Sequence, residues 1–331
     1  MVKKKPAIKN ILFVAFFIRA LIIILEQYGI LILPDGNSLP SDATRFELIA
    51  RLWSSGTMFP FGGTHEIYKQ ENLLIILDFF KNDSILISRI ISIFYMIFGE
   101  SIMMAKCISL LLGTLSVYMV YILGSELWDH RSGQKAAWVV ALFPSLILYS
   151  AITLREVYVV FFLLVSLIGV VRYCKKKSPY HFVLAITGFY ATSLFHGPAF
   201  LGLFIFLLFI IFEILKKQYK RILDLKLNYN FFILIIIFIL PFVSFLTGDL
   251  RITYLGNIDK LTDLEYLMYR ANTGLHGTSS YPIWLTLNNI NEIIPKTIIK
   301  VFYFLYSPFV WDIKEISHII GFFDGILYFI L

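Results

Sequence analysis

Of the chain's 331 residues, 58% are hydrophobic and only 15% charged, too little polar side chain to cover the surface of a water-soluble fold. The net charge of +7 does not mark a nucleic-acid binder, because the lysines and arginines gather in short loops between apolar runs, without aromatic residues interleaved on a soluble face. The chain has no P-loop, no GxGxxG after a strand, no HExxH and no paired-cysteine zinc spacing, which argues against nucleotide hydrolysis and common metalloprotease chemistry.

Taken in chain order, apolar runs of roughly the 20 residues needed to cross ~30 Å of hydrocarbon recur throughout. They lie near 10–33, 103–127, 136–152, 155–173, 181–195, 198–214, 230–247 and 297–311, with a ninth from 316 to 331. The first follows the basic start MVKKKPAIK; it is too long for a signal peptide and lacks a small-residue cleavage site, so it reads as a retained anchor. No separable soluble domain remains. The expected fold class is all-α: a polytopic membrane protein with one transmembrane domain over 1–331 and about eight to nine transmembrane helices. The ninth run ends the chain inside an apolar segment with no polar tail, as a shortened version of a longer protein would.

Lys3, Lys4 and Lys5 put the amino terminus in the cytoplasm, and the count of crossings then makes DHRSGQK, CKKKSPY and KKQYKRILDLK cytoplasmic as well. All three are basic, as the positive-inside rule requires. Cys107 and Cys174 fall near opposite ends of their helices, so neither a disulfide nor a metal pair is implied. The opposite face receives two long loops, 34–102 and 248–296, and two tight turns, Thr153 to Glu156 and His196 to Pro198. Most of the unusual polar residues belong to these four segments: Asp35, Asp42, Arg45, Arg51, Arg155, Glu156, His196, Asp249 and Arg251. Their convergence on one extracytoplasmic face is the main functional inference from the residues alone.

In the first outer loop, SDATRFELIARLWSSG places Phe46, Ile49, Ala50 and Trp53 at the spacing of an amphipathic helix, with Thr44, Glu47 and Arg51 on another face. Pro40 and Ser41 or Asp42 supply its start and Gly56 follows its end. The helix is expected to lie along the membrane interface. A second amphipathic stretch near 72–80 and an apolar one from Ile85 to Phe98, interrupted by Arg89, are expected at the outer surface.

The series Asp42, Thr44, Arg45, Phe46, Ile49, Arg51, Ser55, Gly56 after a first transmembrane helix resembles the first periplasmic loop of the lipid-carrier-dependent glycosyltransferases. That group includes the protein O-mannosyltransferases and the lipid A aminoarabinose transferases. The stretch FGESIMMAKCISLLLGTLSVYMVYILGSELWDHRSGQKAAWVVALFPSLILYS resembles the next two helices of the same group, with its short cytoplasmic turn and proline-bearing helix. Many members carry Asp-Glu where this chain has Asp42 followed by Ala43.

The resemblance implies a GT-C-like helical bundle and a glycosyltransferase of the cell envelope, working in polysaccharide biosynthesis or a related transfer. The donor would be a polyprenyl-phosphate-linked sugar held among membrane lipids, and the acceptor a glycan, lipid or protein. By resemblance Asp42 is the candidate general base, and a base works best with its pKa tuned toward neutrality. The departing phosphate gathers negative charge and calls for cations on the same face. Arg155 is the first choice to bind the donor phosphate, followed by Arg251, Arg45 and His196. Each also has a plainer reading: Asp42 as a helix cap, Arg155 and Glu156 as charges snorkelling from a helix end, His196 as a turn residue. The cofactor stays unknown, since His65 and Glu66 alone do not make a site for a divalent metal.

Two alternatives stand beside this reading. A polysaccharide polymerase joining lipid-linked repeat units would share the layout and the outer carboxylate and arginine. A lipid-linked saccharide flippase would instead place its charges near the bilayer midplane, at broken helices related by internal symmetry. Here the charges gather outside and no internal repeat is visible.

Overall fold

The computed structural model describes residues 8–30, 42–55, 85–223, 264–273, 282–313 and 316–330. The expected amphipathic stretch 72–80, the span 230–247, and Asp35, His65, Glu66, Asp249 and Arg251 lie outside the described residues. Among those described no strand occurs, and the fold is all-α. The helices are α1 (Ile8–Gln27), α2 (Asp42–Ser54), α3 (Ile85–Phe98), α4 (Ile102–Leu127), α5 (His130–Leu142) and α6 (Pro144–Ala151). Then follow α7 (Arg155–Lys176), α8 (Pro179–Phe195), α9 (Phe200–Leu223), α10 (Leu264–Thr273), α11 (Ile293–Tyr306) and α12 (Ile316–Ile330). Of these α1, α4 and α7 are long and apolar enough to cross a membrane by themselves.

The helices touch where their side chains are smallest. A Cβ added to Gly188 of α8 would stand 2.7 Å from the Ser166 nitrogen of α7, and one added to Gly169 of α7 would stand 2.6 Å from the Ala185 nitrogen of α8. Gly124 of α4 meets Gly133 of α5 in the same way, an added Cβ lying 2.9 Å from the facing Cα. Without a hydrophobic force between helices in lipid, such backbone approach is a main source of packing energy.

The expected single span 136–152 is two helices, α5 and α6, broken at Phe143, whose ψ of 117° is extended, and Pro144. Proline has no N–H to offer the Val140 carbonyl one turn back. The Ser145 N–H, which would serve Ala141, turns instead to the Asp324 carboxylate of α12, 3.1 Å from Oδ2. The Arg19 guanidinium of α1 takes up both stranded carbonyls, with Nη2 donating to Val140 O at 3.4 Å and Nη1 to Ala141 O at 3.2 Å. Its Nη1 also donates to Ala15 O and its Nε to Ser150 Oγ at 2.8 Å. Arg19 is 1% exposed and Asp324 6%. A buried cation thus sits at the carboxyl end of one helix and a buried anion at the amino end of the next, each matched to the helix dipole it meets. Gly113 of α4 leaves the room, since a Cβ there would lie 3.3 Å from Arg19 Nε.

The amphipathic helix expected in the first outer loop is α2, and its apolar stripe is fully used: Phe46, Ile49, Ala50 and Trp53 are all buried. Phe46 and Ala50 join Ile87, Ile91 and Tyr95 of α3 in one core with Ala105 of α4, Val157 and Tyr158 of α7 and Phe195 of α8. Ser88 Oγ donates to Phe46 O at 2.9 Å, and the Arg89 guanidinium stands 5.7 Å over the Trp53 ring. Glu47, expected on a separate polar face, is instead buried with the stripe.

Candidate functional site

The end of α1, the start of α4, the α6–α7 turn and the end of α8 come together at one end of the bundle, and α2 closes over them. The polar residues carried by these termini form the candidate site.

Glu47 is its most deeply placed carboxylate. Thr153, fully buried in the α6–α7 turn, donates from Oγ1 to Glu47 Oε1 at 2.7 Å. Burial pushes the Glu47 carboxyl above the usual carboxylate range, while the Thr153 hydrogen bond and the charges of Lys106 and Arg51 oppose that rise. Lys106, at the start of α4, is itself ion-paired with Glu26 at the end of α1. The Arg51 guanidinium stands beside the Tyr95 hydroxyl. Arg51 Nε is buried and reaches no hydrogen-bond partner among the described residues, and neither do the Tyr158 hydroxyl and Glu156 Oε2.

Arg155 opens α7, and its Nε lies 3.3 Å from Glu156 Oε1. His196 ends α8, its backbone N–H donating to Thr192 O at 2.9 Å. Partial burial lowers the His196 pKa, the Arg155 charge lowers it further, and Glu156 opposes them. Arg155, Glu156 and His196 are therefore electrostatic neighbours, as the shared outer face of their two turns implied. A small open cleft of about 30 Å³ has Glu156 and Arg19 on its lining, between walls that include Leu146, Val157 and Val160. Among the described residues no three His, Cys, Asp or Glu side chains come together as a metal would need.

Of the residues singled out from the sequence, Arg155 and His196 are brought together, and Asp42 and Arg45 lie in the first turn of α2. Arg251 lies outside the described residues. Sequence reasoning missed Glu47 and Thr153 as site members. A signal was present: at about 100° per residue, Glu47 falls roughly 60° from Ala50 around the helix, on the flank of the apolar stripe.

Comparison with known proteins adds one match. The family model described as dolichyl-phosphate-mannose-protein mannosyltransferase matches residues 82–245, about half of the chain. The match includes Thr153, Arg155, Glu156 and His196 and begins after α2, which carries Asp42 and Glu47. No curated protein matches the chain, and no solved structure does.

Proposed function

We propose, from the premise that residues 82–245 belong to this family and that the chain is a membrane glycosyltransferase of the GT-C type, that it moves a sugar from a polyprenyl-phosphate carrier to a hydroxyl at the extracytoplasmic face. The acceptor oxygen attacks the anomeric carbon, Asp42 takes its proton, and the bond from that carbon to the phosphate oxygen breaks. Arg155, aided by Arg45, His196 and Arg251, holds the polyprenyl phosphate as it departs with added negative charge. The protein sits in the cell membrane with its amino terminus in the cytoplasm, and the 248–296 loop contributes to acceptor recognition.

The observation that carries this reading is the meeting of Arg155, Glu156 and His196 at the bundle end that also holds Glu47 and Thr153, with Glu156 Oε2 and the Tyr158 hydroxyl buried and without a partner within the described residues. The experiment is native mass spectrometry of the protein in mild detergent, with turnover measured on polyprenyl-phosphate mannose as probe donor. Wild type is expected to carry a polyprenyl phosphate or its sugar conjugate. Arg155→Ala weakens that binding. Asp42→Asn keeps the lipid and loses about 10²–10⁴-fold in turnover, the usual contribution of a general base. A folded wild type that binds no such lipid, or an Asp42→Asn variant with full turnover, overturns the assignment.

A further inference from the structure

A helix lying on a bundle end by its apolar stripe is held strongly but without direction, because burial of apolar area scarcely distinguishes small rotations or slides. Phe46, Ile49, Ala50 and Trp53 supply that kind of hold. Hydrogen bonds add direction, among them one at the end of α2 from Ser54 Oγ to Glu100 Oε1 at 3.0 Å. Ser88 to the Phe46 carbonyl ties α2 to α3. Thr153 to Glu47 is the bond that ties α2 to the α6–α7 turn, two residues before Arg155.

Burying a carboxylate there costs free energy that a leucine would not, and the excess buys nothing in packing. What it adds is a fixed register. Glu47 is a poor candidate for the base itself, since it is 9% exposed and its Oε1 is already engaged by a hydroxyl that is 0% exposed. We infer that Glu47 is a positioning residue, locking α2 through Thr153 to the turn that opens α7 so that Asp42 is held at a fixed offset from Arg155 and His196. The inference rests on the proposed assignment of those three residues, and its test must separate the two.

One arm reads geometry without any substrate. With the free, exposed Cys107 and Cys174 replaced by serine, spin labels at the exposed Leu48 of α2 and Leu194 of α8 report the distance across the junction. Wild type gives a narrow distribution, Glu47→Ala and Thr153→Val each broaden it, and Glu47→Gln, which keeps an oxygen for the Thr153 proton, restores it. The second arm reads turnover of polyprenyl-phosphate mannose: Glu47→Ala and Thr153→Val each lower kcat about tenfold, as loss of a buried hydrogen bond of this kind implies. Their KM for the donor stays unchanged, Glu47→Gln recovers most of kcat, and the double variant is no worse than either single one. The near-isosteric Thr153→Val carries the test if Glu47→Ala does not fold. A narrow distribution in both single variants, additive losses, or a broadened junction with unchanged kcat each overturns the inference. Wild type inert toward the probe, or Asp42→Asn fully active, sinks the glycosyltransferase chemistry instead, and the distance arm still decides whether Glu47 and Thr153 lock the helix.

Discussion

Among the described residues, two groups of buried polar side chains are satisfied to different degrees. Around Arg19, in the middle of α1, the guanidinium makes four hydrogen bonds, and Ser150 Oγ, which accepts one of them, donates onward to Leu146 O at 2.6 Å. The carbonyls freed by Pro144 are answered and the displaced Ser145 N–H is answered by Asp324. Under α2 the picture is more open: Glu47 and Thr153 pair, yet Arg51 Nε, the Tyr158 hydroxyl and Glu156 Oε2 have no partner among the described residues. Each such group costs about 1–3 kcal/mol when left unsatisfied. Among the described residues the fold is built around the first set, and the second has its partners outside them.

The largest effect that sharpens this contrast is expected at Arg19. Arg19→Leu strands the carbonyls of Val140 and Ala141 inside the bundle, so stability should fall by roughly 3 kcal/mol or more, at about 1–3 kcal/mol for each orphaned group. Denaturant titration of the detergent-solubilised protein measures it. A closed structural group predicts that the residual folded fraction still binds the polyprenyl lipid; binding lost with stability intact would move Arg19 into the functional set and break the comparison. Asp324→Asn should cost less, about 1 kcal/mol, because the amide oxygen still accepts from Ser145 and only the charge at the helix terminus disappears. An effect as large as that of Arg19→Leu would mean that the carboxylate is needed for more than capping.

The two groups also differ in how much of them the sequence discloses. The stripe of α2 repeats with the helical period, and its four apolar residues are all buried, because periodicity reports which face a helix turns to its neighbours. The convergence of Arg155 and His196 followed from counting crossings, since alternate turns of a helical hairpin series share a face. The broken span did not follow, although Pro144 was in view. Whether a proline bends a helix or ends it depends on who takes the freed backbone groups, and here the takers are 121 and 179 positions away, in Arg19 and Asp324. A lone arginine in a 20-residue apolar helix and a lone aspartate in another are nonetheless visible as charges that need partners. Sequence shows the need and not the pairing. Glu47 was obscured for a related reason: beside an apolar stripe a glutamate reads as the wet flank, and only the Thr153 hydroxyl arriving from another helix makes its burial tolerable.

The smallest predicted effect tests the open group through its one titrating carboxylate that is both buried and bonded. Burial holds the Glu47 pKa above the ordinary carboxylate value, so the folded state keeps its proton to higher pH than the unfolded chain does. The sign follows from linkage: the stability Glu47 contributes is fully present below the unfolded value near 4.3 and is lost as pH rises through the folded value. Lys106 and Arg51 limit that loss and Glu26 adds to it, but all three are unchanged by Glu47→Gln, as is His196, whose lowered pKa makes the fold less stable as pH falls below about 6.5. The difference in unfolding temperature between wild type and Glu47→Gln therefore isolates the one carboxyl. Glu47→Gln should gain on wild type by a few degrees between pH 4.5 and 8, with the gain levelling off once Glu47 has ionised. A difference that does not change with pH would place the carboxylate in water, and with it would go the contrast between a bundle middle that is closed and a bundle end that is open.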